Sequence, residues 1–354
     1  YQWSPKAGRA VFFPRLVCPF TGSTDLEWRI ASGLGTVHST TAVHGVDGGT
    51  HNVALIDCDE GFRLMSRVEE IAPEAVAIGM RVEFRVHRAG GEEEPVPVFV
   101  PAKAGAGQPA AKAGSPARPA LAPRKPSGTA RRGSAAIVGV AESDIGQVAA
   151  GLSPIDLMAQ GIVRALDDCG LALGDVDGLF CATTQARTSA LALSEYLGID
   201  APFIGSTIVG GSSFEYHVAQ AQSAIEAGLC TVAVIAYGST QRSVGRKQAS
   251  VGGEKRYGTT FRPFLPASAC AMAARRHMHQ FGTTREQLAA VAVAAREWAQ
   301  LNPAAWDRKP LTIEGVLAAR PISTPFTVRD CCLSTDGGGA VVVVSAERAR
   351  SLKK

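Results

Sequence analysis

The fold class these 354 residues predict is a small β-barrel followed by an α/β region, and three observations lead to it. Short runs rich in Val, Phe and Thr, broken by Gly, Pro and Asp, fill residues 1–101. From Ser134 onward, wholly apolar runs of strand length alternate with helical periodicities. Between them, residues 102–133 are largely Ala, Pro, Gly, Lys and Arg, with Leu121 the only larger aliphatic.

In the first part the strand-like runs are Arg9–Val17, Gly35–His44, Asn52–Asp57, Phe62–Val68, Arg81–His87 and Val96–Val100. Gly45-Val46-Asp47-Gly48-Gly49 supplies a hairpin connection. So many short strands in about a hundred residues suggest a small closed barrel. The middle stretch cannot bury enough apolar surface to offset its ordering entropy, which predicts a flexible tether. Its seven Lys and Arg, with no acid, exceed the chain's net charge of +4, so the folded parts are net acidic. The basic balance therefore belongs to the tether, and no nucleic-acid face is expected.

In the last part, Ala135–Val140 reads as a strand, and Ser153-Pro154 opens a helix that Gly170 stops. Strands at Val176–Cys181 and Phe203–Val209 flank a helix near Ala190–Leu197. A helix over 214–228 leads to a buried strand at Thr231–Tyr237. Gly238–Pro266 is long, polar and glycine-rich, as a lid or pocket loop would be. Helices follow at Ala267–Phe281, Thr284–Gln300 and Leu311–Ala319, then an apolar strand at Gly339–Ser345. Continuous apolar strands alternating with helices predict a mostly parallel sheet covered by helices on both faces. The expected domains are thus 1–101, a linker over 102–133, and 134–354.

No apolar run approaches the length of a membrane span, and no basic-then-apolar leader opens the chain. With eight scattered cysteines and no Cys-x-x-Cys pair, the expectation is reduced, mostly packed thiols in a cytoplasmic protein. Cys270 and the pair Cys331-Cys332 read as packing residues, whereas Cys181, ending a strand, could face a pocket. The chain does not start with Met, so residues are expected to precede Tyr1.

The stretch most suggestive of chemistry is Thr207-Ile208-Val209-Gly210-Gly211-Ser212-Ser213. A strand end, a glycine turn and a helix start bring free N–H groups and a positive dipole end together, a ready site for an oxygen gaining negative charge. The amides of Gly211, Ser212 and Ser213 are the candidate donors. No base at readable spacing activates either serine, and His217 reads as a helix-face residue.

Two resemblances add to this reading. Cys18-Pro19-Phe20-Thr21-Gly22-Ser23, with Ile78-Gly79-Met80-Arg81-Val82 and Pro97-Val98-Phe99-Val100-Pro101, resembles the acyl-CoA-associated OB-fold family that is usually joined to a zinc ribbon. That family's knuckle has a second cysteine where Thr21 stands, so a degenerate ribbon without zinc is expected; His38, His44 and His51 read as surface residues rather than replacement ligands. Ile137-Val138-Gly139-Val140, the Gly211 turn with Ala224–Gly228, Phe281–Ala289 and Asp330–Ala340 resemble the N-terminal half of the thiolase family. The likeness is nearest to the sterol-carrier-protein-type thiolases and the thiolase-like steroid side-chain aldolases.

The thiolase resemblance places that family's nucleophilic cysteine at Gly211, where there is nothing to acylate. It also implies a second half with acid–base loops, and the sequence ends where that half would begin. What it implies is an acyl-CoA carbon–carbon lyase that cleaves a β-hydroxyacyl-CoA by retro-aldol chemistry. The alternatives are a thiolase-type acyltransferase and a non-catalytic acyl-CoA-binding scaffold. Tyr257 is the candidate acid/base, and Arg256 and Arg262 are the candidate contacts to CoA phosphates. No tightly bound cofactor is implied beyond the coenzyme A of the substrate. A homodimer is implied, and so is a segment or chain supplying the missing half.

Overall fold

The structure is a computed structural model that describes residues 1–88, 95–103, 133–245 and 257–352. In chain order the strands and helices are β1 (Gln2–Ser4), β2 (Arg9–Val11), β3 (Glu27–Trp28), β4 (Leu34–His44), β5 (Thr50–Cys58), β6 (Arg63–Ser66), β7 (Arg81–His87) and β8 (Val96–Pro101). They continue with β9 (Ala135–Glu142), α1 (Pro154–Cys169), β10 (Gly178–Ala182), α2 (Ser189–Leu197), β11 (Phe203–Gly205), α3 (Ser213–Glu226), β12 (Val232–Ser239) and α4 (Gln241–Val244). The last are α5 (Ala267–Phe281), α6 (Arg285–Leu301), α7 (Ile313–Leu317), β13 (Pro321–Ser323), β14 (Phe326–Thr327), β15 (Gly337–Ser345) and α8 (Ala346–Ser351).

The chain forms two compact units, one of Tyr1–Leu121 with Glu254–Cys332, the other of Ala122–Gly253 with Leu333–Lys354. Glu254–Cys332 thus packs with the N-terminal strands, although it follows the linker in sequence. Of the expected linker, residues 104–132 lie outside the described residues.

In the first unit, β4 pairs antiparallel with β5 and β7, β5 with β6, and β7 with β8. A parallel bridge between Val68 and Phe99 closes the ring, giving the OB-fold topology. Val37, Ile56, Val82 and Phe99 fill its interior. A bulge between Val37 and Ser39 re-aims the rest of β4 outward. There the outer face is covered by α5 and the Tyr257–Phe261 turn, through Val43, Val53, Phe261 and Met272. Hydrogen bonds secure the cover: Ser39 Oγ donates to the Met272 carbonyl at 2.6 Å, and Thr41 Oγ1 bonds Ser323 Oγ at 2.8 Å.

The run Arg9–Val17 is not one strand. Only β2 forms, in a separate three-stranded sheet with β1 and β3, and Pro14, which has no N–H to donate, lies just beyond it.

The second unit is built on a five-stranded sheet in the order β11-β10-β12-β15-β9. Both β11 and β12 pair parallel with β10, while β15 runs antiparallel to β12 and β9. Four strands therefore point one way and β15 alone the other. α1 and α2 cover one face, α3 the other. Ser153 caps α1 with a reciprocal capping box to Asp156, and Pro154 sits in its first turn. α1 lies close on the sheet because Gly238 admits it: a Cβ there would sit 2.2 Å from the Pro154 carbonyl oxygen. On this foundation rests the turn between β11 and α3.

Candidate functional site

β11 stops at Gly205, four residues short of the expected strand end, and its last pair with β10 is Gly205 opposite Phe180. The chain then turns at Gly210, whose φ of 84° is a left-handed conformation that only glycine adopts without strain. Ser213, buried at the head of α3, locks the turn. Its hydroxyl accepts from the Val209 N–H at 3.0 Å and donates to the Gly210 carbonyl at 2.6 Å, and its own N–H donates to the same carbonyl at 3.1 Å.

Both polar groups of Ser213 are therefore spent inside the turn. The three-amide cradle expected from sequence narrows to Gly211 and Ser212, which are exposed. They stand at the N-terminus of a helix of 14 residues, where the dipole favours negative charge. Gly211 differs from Gly210 in kind: its φ lies outside the left-handed region, and a Cβ built on it meets nothing within 4 Å. Neither backbone nor packing demands a glycine there, so the missing side chain leaves open space at that position.

His217, one turn along α3, is not a surface residue. It is fully buried between Phe180 and Phe214, with ring centroids 5.8 and 6.2 Å away. Neither ring nitrogen reaches hydrogen-bond geometry with a described residue. Burial pushes its pKa down, partly opposed by the nearby Thr207 backbone, so the imidazole is neutral near pH 7. Sealed in this way, it supports the turn from beneath.

Behind the turn's sheet, Asp336 is a residue whose role the sequence did not disclose. Fully buried, it accepts from the N–H groups of Arg242 at 2.8 Å, Ser243 at 3.0 Å and Val148 at 3.2 Å, and from the Ser243 hydroxyl. Burial raises its pKa, but these bonds together outweigh that and hold it below the ordinary carboxylate range. One carboxylate thus ties the start of the 241–245 segment to the loop before α1.

The other candidates lie in the first unit. Tyr257 packs its ring against Phe12, Phe13 and Phe261, and burial with the neighbouring Cys58 pushes its hydroxyl up to about 12. Arg262 is exposed with φ 50°, and its carbonyl bonds His51 Nε2 at 3.1 Å. Arg256 lies outside the described residues. Neither Tyr257 nor Arg262 shares a compact unit with the Gly211 turn.

All eight cysteines are free thiols. Cys181 is packed in the sheet core rather than facing a pocket, and burial pushes it up to about 11, as it does Cys230. Cys270 and Cys332 are exposed, contrary to the packing role read from sequence. On α5 the buried positions are Ser268, Ala271 and Met272, which leaves Cys270 on the opposite side. Cys18 sits in the knuckle, its N–H on Ser23 O at 2.7 Å and its carbonyl accepting from the Gly22 N–H at 2.9 Å. Burial raises its pKa, but the hydroxyls of Ser4 and Thr21 and the amides of Phe20 and Thr21 bring it down to about 7. Hydroxyls stand here where a tetrahedral zinc would need thiolates, and among the described residues no three His, Cys, Asp or Glu are placed to share an ion. The residues present do not fit a structural zinc.

Barrel and sheet define a class: an OB-fold domain carried with a thiolase-like α/β region. Comparison with known proteins gives that class its particulars. Residues 28–88 match the family described as ChsH2, C-terminal OB-fold domain. The chain is 36% identical over 234 residues to 17-hydroxy-3-oxo-4-pregnene-20-carboxyl-CoA lyase of Mycobacterium tuberculosis, covering 63% of this chain and 60% of the lyase. It is 35% identical over 232 residues to the steroid side-chain-cleaving aldolase of Thermomonospora curvata, covering 62% and 59%. Among solved structures it resembles the Ltp2-ChsH2(DUF35) aldolase, with a TM-score of 0.54 and 34% identity over 62% of this chain and 58% of that one. The chain thus joins an OB-fold of the ChsH2 C-terminal kind to a sterol-carrier-protein-thiolase-like region, and it spans about 60% of the curated relatives' length.

Proposed function

We propose that this protein takes part in the retro-aldol cleavage of a β-hydroxyacyl-CoA, with a steroid side chain as the acyl group. The observation that carries the reading is the Gly211 turn, an exposed helix N-terminus where a Cβ on Gly211 would meet nothing within 4 Å. The relatives named as a CoA lyase and a side-chain-cleaving aldolase support it.

In this reaction a base takes the proton of the β-hydroxyl, the Cα–Cβ bond breaks, and its electron pair passes to the thioester as an enolate. The β-carbon leaves as a ketone, and Cα is then protonated. The amides of Gly211 and Ser212 hold the enolate oxygen as its charge grows. No acyl-enzyme is needed. An acyltransferase route would need a thiolate at the turn, and none stands there. Tyr257, with its hydroxyl near 12, suits proton donation rather than proton removal.

Coenzyme A enters only as part of the substrate, with Arg262 and Arg256 as contacts to its phosphates, and no zinc is held. The chain works as a homodimer completed by a further thiolase-like half. Exposed Ile137 and Val140 on β9 and Tyr216 on α3 support an uncovered side of the second unit where such a partner would pack. Among the described residues no helix is long and apolar enough to cross a membrane.

The test is incubation of the chain, alone and with the remaining thiolase-like segment of the curated relatives, with a 17-hydroxy-steroid carboxyl-CoA. Release of the ketone with a shortened acyl-CoA, and no mass increase on the protein, is the expected result. A covalent acyl adduct would overturn the lyase reading. Tight CoA-ester binding without turnover in the completed assembly would establish a scaffold instead.

A further inference from the structure

The first unit carries a cleft with no part in the thioester chemistry. It has a volume of about 490 Å³ and lies between the outer face of β4–β6 and α5. That size falls within the range of about 300–1,000 Å³ typical of small-molecule sites. Its walls are apolar and adaptable: Leu55, Met65, Met272 and Phe281 line it, and methionine side chains fit irregular ligands readily.

The cleft is lined by one cationic side chain, Arg276, and two imidazoles, His38 and His277, and by no carboxylate. The Arg276 guanidinium is anchored by one bond, from Nη1 to the His38 carbonyl at 3.3 Å. Its Nε is buried and donates to no described residue. Asp57, on β5, is engaged by Arg63 at 2.8 Å and by His38 at 3.4 Å. A buried N–H without an acceptor is costly, and an anion reaching Arg276 Nε would remove that cost.

We propose that this cleft binds an anionic amphiphile, its apolar body against Leu55, Met65 and Met272 and its acidic head on Arg276. The site and its ligand class are independent of the retro-aldol reading. A fused-ring steroid acid and a straight-chain fatty acid share this chemistry. The first would use the breadth between the two methionines, the second the length toward Phe281.

The experiment uses the full chain and an anilinonaphthalene sulfonate dye as probe. Cholate and dodecanoate, kept below their micelle concentrations, are titrated as competitors beside their methyl esters. Saturable displacement by the acids is expected, with the esters at least tenfold weaker. Arg276→Met should weaken the acids about tenfold while leaving the esters within twofold, and Ala273→Trp, at an exposed position, should abolish displacement by filling the cleft. Arg276→Gln, which removes the charge and keeps a polar side chain, gives the same comparison if Arg276→Met fails to fold. Preference for cholate over dodecanoate, or the reverse, assigns the ring or chain form. Failure of either acid to displace the dye, esters binding as well as acids, or displacement unchanged in Ala273→Trp would overturn the proposal.

Discussion

Adjacent glycines in the turn before α3 should respond oppositely to a methyl group. At Gly211 the backbone is permissible for any residue, and the added Cβ meets nothing within 4 Å. Gly211→Ala should therefore stabilise the second unit by about 0.4–1 kcal/mol, because alanine has less freedom to lose from the unfolded chain. At Gly210 the φ of 84° forces a Cβ against the following carbonyl, costing about 1–2 kcal/mol. The two variants should differ by roughly 1.5–3 kcal/mol, or about 3–12 °C at roughly 2–4 °C per kcal/mol for a unit of this size. Thermal unfolding followed by circular dichroism reads that difference directly.

Turnover should show the opposite order of interest. Gly211→Ala places a methyl where the thioester must approach the amides of Gly211 and Ser212, so kcat should fall by at least tenfold in a protein at least as stable as wild type. Gly211→Cys adds a thiol at the same point, and intact-protein mass after exposure to an acyl-CoA shows whether it accepts an acyl group. A Gly211→Ala variant destabilised by more than about 1 kcal/mol would mean that glycine serves the fold. One with full turnover would mean that the space above the amides is not where the reaction occurs.

Replacing Asp336 by Ala strands several buried donors and should cost about 3 kcal/mol, read by denaturant unfolding. Because the folded carboxyl titrates below its ordinary range, its contribution is present above the unfolded pKa and is lost as pH falls through the folded value; wild-type stability should drop more steeply than that of Asp336→Asn below about pH 4. Cys18 should show thiolate absorbance at 240 nm with a midpoint near 7 in the difference between wild type and Cys18→Ser, moving upward in Thr21→Val; a midpoint at an ordinary thiol value would refute the hydrogen-bonded thiolate. Thr284→Ala removes the cap that accepts from the Gln287 N–H at 3.3 Å and should cost about 1 kcal/mol of first-unit stability.

The elements that sequence revealed are those whose cause is local. Ser153-Pro154 and Thr284 with Gln287 announce helix starts because a cap needs only its own first turn. The barrel strands show because each is a short run of strand-favouring residues set between Gly, Pro and Asp turns. What stayed hidden depends on partners far along the chain. Closure of the barrel rests on Val68 meeting Phe99, and the cover over β4 rests on Met272 and Ser323, more than 200 residues away. The exposure of Cys270 does not show in the sequence because an alanine-rich helix carries little contrast between its faces. The carboxylate of Asp336 looked like part of a glycine turn, whereas its donors come from Val148, Arg242 and Ser243.

The candidate site shows the same division at finer grain. Two glycines and two serines marked a turn that could face a developing oxyanion, yet the sequence could not distinguish their tasks. Gly210 and Ser213 hold the backbone in place, one by its φ and the other by bonds to Val209 and Gly210. Gly211 and Ser212 alone are left facing outward. On the proposed reading, a turn with bare backbone at Gly211 offers charge stabilisation without covalent capture. That combination suits a reaction whose leaving fragment is an enolate, because the charge to be held appears on the thioester oxygen and on no enzyme atom.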